Sequence, residues 1–422
     1  MYQKTVLSNQ LTVVTNPLKD RDSVSLGIWI GTGGRYESDE IKGAAHFLEH
    51  ILFKGSPKYS CEQIKELIEG VGGTLNAFTT EEMTCALAKI PFRHLKRTFD
   101  ILADMVLFPL IDKKDVEKER TVILEEIKMY HDLPQYYVLD LLDELIWPNH
   151  PLGKSLVGTL ESIGRMSQEN LLGFHQSHYF PGNMVISACG RLDHADFVNL
   201  AKRKLKQAVA VAKKVFLKAP DTPPKAQAKF FRKQTEQMHL AMGVVGLPYD
   251  HPDKYALSLL NIILGGNMSS RLFDELREKQ GLAYSISSSL KCLKDTGIFM
   301  IRAGVDNQKI LDAIDLILKE LKTIRQEGTN KDEFTRAKDY FLGQFLLGLE
   351  DTLDHMLWMG ESTVTLGRVR TLKEIISEVK KVKIDDIQRV ASDILRDERF
   401  NLALIGPLQE GQKKEIHAML SA

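Results

Sequence analysis

Gly43-Ala-Ala-His46-Phe-Leu-Glu49-His50-Ile-Leu-Phe-Lys-Gly55 contains an apolar helix with one ionisable stripe. Successive helical residues turn by about 100°, so His46, Glu49, His50 and Phe53 fall within roughly 60° either side of His46. The remaining faces carry Phe47, Leu48, Ile51 and Leu52. A helix apolar on these faces belongs inside a domain, not on its surface. Burying two imidazoles and a carboxylate is costly unless they are paired or bind a cation. Two histidines at i and i+4 can hold one zinc between them, and a glutamate one turn from the first can reach a water on that metal. The order H-x-x-E-H is the inverted form of the H-E-x-x-H zinc helix. The competing reading is a buried helix whose histidines satisfy backbone carbonyls.

A second helix, Lys113 to Tyr130, bears on that choice. Its apolar stripe is Val116, Ile123, Ile127 and Tyr130, and Glu119 and Glu126 lie on the same stripe two turns apart. Glu117, Thr121, Glu125 and Lys128 face the other way, the ordinary solvated pattern. Arg120 sits at the edge of the stripe and offers Glu119 a local partner. Glu126 has none in the sequence. A core-facing carboxylate needs a cation, which makes Glu126 the natural third metal ligand; Glu125 points outward.

Around these helices the pattern is that of an α+β protein. Val24 to Gly31 alternates, with Val24, Leu26, Ile28 and Ile30 on one face, and predicts a half-buried strand. Ser60 caps a helix that stops at Gly70. Two strands flank a turn at Thr80-Glu81-Glu82. Helices are predicted over Pro91–Leu107, Leu139–Trp147 and Glu169–Tyr179, with a strand at Met184–Cys189. His175 and His178 stand at i and i+3 with no carboxylate among them, which favours a surface role over a second metal. Ala219-Pro-Asp-Thr-Pro-Pro-Lys225, within 213–233, is the most proline-rich stretch and reads as a linker. The expected domains are therefore 1–215 and 229–422, joined by 216–228. Beyond the linker a strand, Met238–Val245, precedes an apolar helix, Tyr255–Leu264, so the second half reads as a distant copy of the first. There Leu257, Leu260 and Asn261 stand where the first copy has His46, Glu49 and His50.

Composition narrows the function. The 422 residues fit two domains, and 43% hydrophobic content supplies two cores. Lys+Arg and Asp+Glu both count 56, so nucleic-acid binding by bulk charge is not expected. The first residues show neither a signal peptide nor a transit segment, and no apolar run is long enough to span a bilayer. Four scattered cysteines predict reduced thiols and a cytoplasmic location, and leave any zinc to histidine and carboxylate.

The chain resembles the pitrilysin/insulinase metallopeptidases, and most closely their mitochondrial-processing-peptidase-like branch. The matching stretches are Gly33-Gly-Arg-Tyr-Glu37, Ala45–Gly55, Asn76-Ala-Phe-Thr79, Glu119–Glu126, Pro151-Leu-Gly-Lys154, Ser269–Phe273 and Leu276–Tyr284, in the family's order. The resemblance implies a fold of two related domains, each a mostly antiparallel sheet with helices packed on one face. It implies one zinc per chain held by His46, His50 and Glu126, with Glu49 as general base and Glu119 as a supporting carboxylate. It also implies that Asn76, Ala77 and Phe78 form an edge strand to which substrate adds. From the C-terminal half, Arg277 would hold substrate and Tyr284 would donate to the developing oxyanion. The implied activity is zinc-dependent endopeptidase on peptides or unfolded segments, in a homodimer that shares its chamber. The alternative is a non-catalytic peptide-binding or assembly subunit of the same fold.

Overall fold

The computed structural model describes residues 2–206 and 215–421. Residues 207–214, which include the end of the expected first domain and Lys213–Lys214 of the proline-rich stretch, lie outside the described residues.

Two sheets organise the chain. The first comprises β1 (Gln3–Val6), β2 (Thr12–Pro17), β3 (Ser23–Ile30), β4 (Thr74–Thr79), β5 (Thr84–Pro91) and β6 (Met184–Gly190), in the order β1-β2-β6-β3-β5-β4. The second comprises β7 (Gln227–Arg232), β8 (Gln237–Val245), β9 (Ala283–Cys292), β10 (Gly297–Asp306) and β11 (Asn401–Gly406), in the order β7-β11-β8-β10-β9. In each sheet one pair is parallel, β2 with β6 and β7 with β11, and the others are antiparallel. Numbered from β2 and from β7, both sheets read 1-5-2-4-3, so the second half repeats the first strand for strand. The helix Lys254–Leu264 occupies the same place between β8 and β9 as α1 (Ala44–Leu52) does between β3 and β4. The α+β architecture thus agrees with the sequence.

The chain forms two compact units, and neither is continuous. One holds Met1–Lys128, Ser155–Leu217 and Leu346–Thr371; the other holds Met129–Lys154, Lys218–Phe345 and Leu372–Ala422. One crossing falls at Leu217–Lys218, inside the proline-rich stretch, but two further segments belong to the unit formed mainly by the other half. The helix Thr352–Leu366 packs on the first sheet, and α5 (Pro134–Ile146) packs on the second.

These two helices explain a departure from the alternating pattern. β3 is not half-buried: every residue from Val24 to Ile30 is buried. Leu26, Ile28 and Ile30 face a core with Phe47, Leu48 and Phe99, supplied by α1 and α3 (Leu95–Leu107). Trp29, on the opposite face, packs with Met356 and Met359, and its indole N–H donates to Ser187 Oγ at 2.8 Å. The expected fold packs helices on one face of each sheet; here a helix covers the other face as well, and that part of the expectation is corrected. In the second unit α5 does this with Val138, Leu141, Leu142 and Ile146 against Ala241, Met300 and Ile405.

The close approach at Trp29 depends on Gly360, where an added Cβ would lie 2.1 Å from the indole ring. Gly360→Ala is expected to cost about 1–3 kcal/mol through overpacking. A melting temperature equal to that of the wild type would show that the helix shifts without cost.

The local elements otherwise follow their signals. α2 (Cys61–Glu69) begins in a capping box between Ser60 and Gln63. α5 starts at Pro134 rather than Leu139, since proline is favoured in a first turn where its missing N–H has no helical partner. His175 and His178, expected at the surface, are buried. Both lie on the inward face of the helix Gln168–His178, and their ring nitrogens meet the carbonyls of Val106 at 2.9 Å and Phe174 at 2.9 Å. All four cysteines are free thiols. Among the described residues no helix is long and apolar enough to cross a membrane.

Candidate metal centre

The centre lies wholly in the first unit, between α1 and α4 (Lys113–Asp132). The start of α1 is held by a carboxylate from outside the helix. Glu37 accepts from the Gly43 N–H at 3.0 Å and the Ala45 N–H at 2.7 Å, and Lys42 Nζ lies 3.3 Å from it. These first-turn N–H groups have no partners within the helix, and a negative charge there also suits the helix dipole. Gly43 precedes the helix at φ 94°, in the left-handed region that favours glycine. The sequence contained Glu37 in a recognised stretch but gave no sign of this role, because the contact joins a short loop to the helix it precedes.

His46, His50 and Glu126 each direct a ligand atom into one cluster, all three within 4.8 Å of one another. His46 Nε2 lies 3.7 Å from Glu126 Oε1, and His50 Nε2 lies 3.5 Å from Glu126 Oε2. These separations are long for hydrogen bonds. They suit two donors sharing a tetrahedral ion, which at zinc bond lengths stand roughly 3.4 Å apart. Burial, aided by the neighbouring His50, pushes His46 down to about 3, so its imidazole is neutral and its lone pair is available. Burial raises Glu126, with His50 opposing. A cation placed among the three relieves that cost, so the donor set fits a zinc ion. Glu125 points outward and pairs with Lys128 at 2.7 Å.

Behind the cluster runs a chain of charged contacts. His50 Nδ1 meets Glu119 Oε2 at 3.2 Å, and Glu119 Oε1 meets Lys54 Nζ at 2.6 Å. Glu119 is 4% exposed, too buried to be left without a counter-charge. Arg120, the partner suggested by the sequence, instead bonds Glu117 and the carbonyls of Ile163 and Gly164. Lys54 was the missed residue. It lies one turn beyond His50 at i+4, a spacing that was available in the sequence.

Glu49 lies beside the cluster without entering it. Burial raises its carboxyl, while a hydrogen bond with the Thr79 side chain and the neighbouring His50 oppose the rise. Thr79 ends β4, the outermost strand of its sheet. Asn76, Ala77 and Phe78 lie on this edge strand; Asn76 is exposed, and its Oδ1 accepts from the Ala77 N–H at 2.8 Å. Arg277 and Tyr284 belong to the other unit, where the Arg277 guanidinium lies 5.7 Å from the Tyr284 ring centre. In the second copy, Leu257 and Leu260 are buried in the core, and Asn261 offers no ligand set.

Residues 12–160 match the family model described as insulinase (peptidase family M16), and residues 165–341 match that of the peptidase M16 inactive domain. Similar curated proteins include one named an uncharacterized zinc protease from Bacillus subtilis, 35% identical over 96% of this chain and 98% of its own length. Another of that description, from Streptomyces coelicolor, is 34% identical over 98% of this chain and 92% of its own. Among solved structures, a protease from Helicobacter pylori superposes with a TM-score of 0.90 at 22% identity, covering 96% of this chain and 100% of that one. A peptidase M16 inactive domain from Pseudomonas fluorescens gives 0.88 at 20%, covering 97% and 98%. Both share the fold.

Proposed function

The chain belongs to the insulinase family of peptidases, M16, and from that premise we propose that it is a zinc-dependent endopeptidase acting on extended or unfolded polypeptide. The observation that carries the proposal is the convergence of His46, His50 and Glu126 beside a half-buried Glu49 that stays outside the ligand set. These three side chains would hold one zinc per chain. When bound, zinc supplies a Lewis acid that polarises a carbonyl oxygen and acidifies a water molecule. Glu49 takes a proton from the attacking water and delivers it to the leaving amine nitrogen. Its burial suits that task, because a carboxyl raised toward neutral pH both accepts and releases a proton readily.

Glu119 fixes the tautomer of His50 by accepting at Nδ1, which leaves Nε2 for the metal. Lys54 in turn pairs with Glu119 and orients it. Lys54→Met and Glu119→Gln are each expected to weaken zinc binding by about 10- to 100-fold. Competition against a calibrated chelator measures this directly, and unchanged affinity in both would remove the network from the metal site.

β4 provides the main-chain edge for substrate. A peptide adding there through the Ala77 N–H would exchange the Asn76 side chain for its own carbonyl. This mode selects chain that is already extended, and it separates a peptidase from a metal hydrolase of small esters. The test is zinc content per chain together with cleavage of a quenched fluorescent peptide and of a simple ester. One zinc with peptide cleavage supports the proposal. Zinc with ester hydrolysis alone would overturn the substrate class, and a chain that takes up no zinc would overturn the mechanism.

A further inference from the structure

The second unit contains a cleft of about 560 Å³ whose wall carries Arg277, expected from the resemblance to hold substrate, together with residues that have no role so far. It opens beside β9 and β10, at the end of the sheet, and its walls include Tyr136 of α5, His239, Ser285, Ser287, Arg277 and Arg302. Two of the residues lining it are arginines and none is acidic. That imbalance does not reflect the chain as a whole, whose basic and acidic residues are equal in number.

Among the described residues neither guanidinium group has a carboxylate within hydrogen-bond distance. Arg302 donates from Nε to Ser287 Oγ at 3.2 Å. No carboxylate pairs with its terminal nitrogens, the two donors that form a fork toward a carboxylate. Arg277 lies over the Phe273 ring at 4.9 Å, and its nearest acid, Glu278, is 4.0 Å away at Nε. The segment carrying Arg277, Phe273–Lys279, is π-helical, a local widening of the helix that often marks functional positions. The rest of the wall is mixed: His239 is kept neutral by burial, Val138, Leu240 and Ile286 are apolar, and β9 is the last strand of its sheet. An anion alone has no use for apolar walls beside a strand edge. A peptide bearing a carboxylate uses all three.

We propose that this cleft is a peptide-carboxylate subsite in which Arg302 selects substrates by a carboxylate, from either an acidic side chain or the C-terminus. The proposal rests on the peptidase reading for its ligand and adds a specificity determinant to it. Arg302 anchors through Nε and presents its outer fork, while Arg277 adds a second positive charge on the same wall.

The test uses the full-length, zinc-loaded Glu49→Gln protein, so that bound peptide is not consumed. Binding of one labelled unstructured peptide is measured by fluorescence anisotropy in four forms: Asp or Asn at one internal position, combined with a free or amidated C-terminus. At least one carboxylate form is expected to bind about tenfold more tightly than the doubly neutral form, and the arm that gains identifies the source. Adding Arg302→Gln should bring this ratio close to one, and Arg302→Lys should restore part of it. In the parent protein the ratio should also fall as salt is raised, which reads the same charge contact without a second substitution. Equal binding of all four peptides, or a preference that survives Arg302→Gln, would overturn the subsite. Hydrolysis by the Glu49 enzyme is measured separately on the same peptides. Carboxylate preference without hydrolysis would sink the peptidase reading and leave the cleft standing; hydrolysis without preference would do the reverse.

Discussion

Glu49→Gln is expected to retain one zinc per chain while losing peptide hydrolysis by about 10²- to 10⁴-fold, the usual contribution of a positioned general base. The substitution preserves the size of the side chain and its capacity to hydrogen-bond with Thr79. It removes only the ability to take and return a proton at neutral pH. Glu49 is outside the donor cluster, so zinc content should be unaffected. Turnover should fall while peptide affinity, measured on the inactive protein, stays near that of the wild type. Substantial residual hydrolysis would take the base role away from Glu49. Joint loss of zinc and activity would mean that it is a ligand.

The second large effect separates two adjacent carboxylates. Glu126→Gln is expected to weaken zinc binding by more than about 100-fold, beyond the effect of losing a partner behind the ligands. Activity should vanish with the metal. Glu125→Gln should leave both close to wild type, because Glu125 is exposed and its contact with Lys128 is a surface i, i+3 pair. The two residues differ by about 100° around one helix, and that rotation alone decides which faces His46 and His50. Titration of each variant with zinc measures the difference. A reversed result would require the helix to be rotated by about a quarter turn, against the burial of Val116, Glu119, Ile123 and Ile127.

Much of the centre was legible because it depends on helical periodicity. The spacing of His46, Glu49 and His50, and the stripe shared by Glu119 and Glu126, are local properties of two helices. The contacts that hold these side chains in place were less visible. Lys54 on Glu119 and Glu37 on the first turn of α1 are pairings across short distances in space, and several residue types could have supplied them. His175 and His178 differ from the surface expectation for a related reason. Two histidines without a nearby carboxylate resemble a polar surface until the carbonyls of Val106 and Phe174 are seen to meet them.

The same division runs through the fold. Alternation, caps and glycine or proline stops were enough to place β3, β4, β5, β6 and β8 and the helices that form the centre, since each is encoded within a few consecutive residues; the remaining strands and the helices beyond Leu264 were not legible there. The equality of the two strand orders, 1-5-2-4-3, required the tertiary structure, because pairing between distant strands leaves little trace in either strand alone. So did the burial of β3 on both faces. Trp29 on an alternating strand can face water, a ligand or another helix, and the helix that covers it begins at Thr352. The chain itself determined which side chains can do the chemistry and on which helix faces they stand. Only the tertiary structure decided what covers them and which counter-charges steady them, because those partners are brought close by folding and not by sequence.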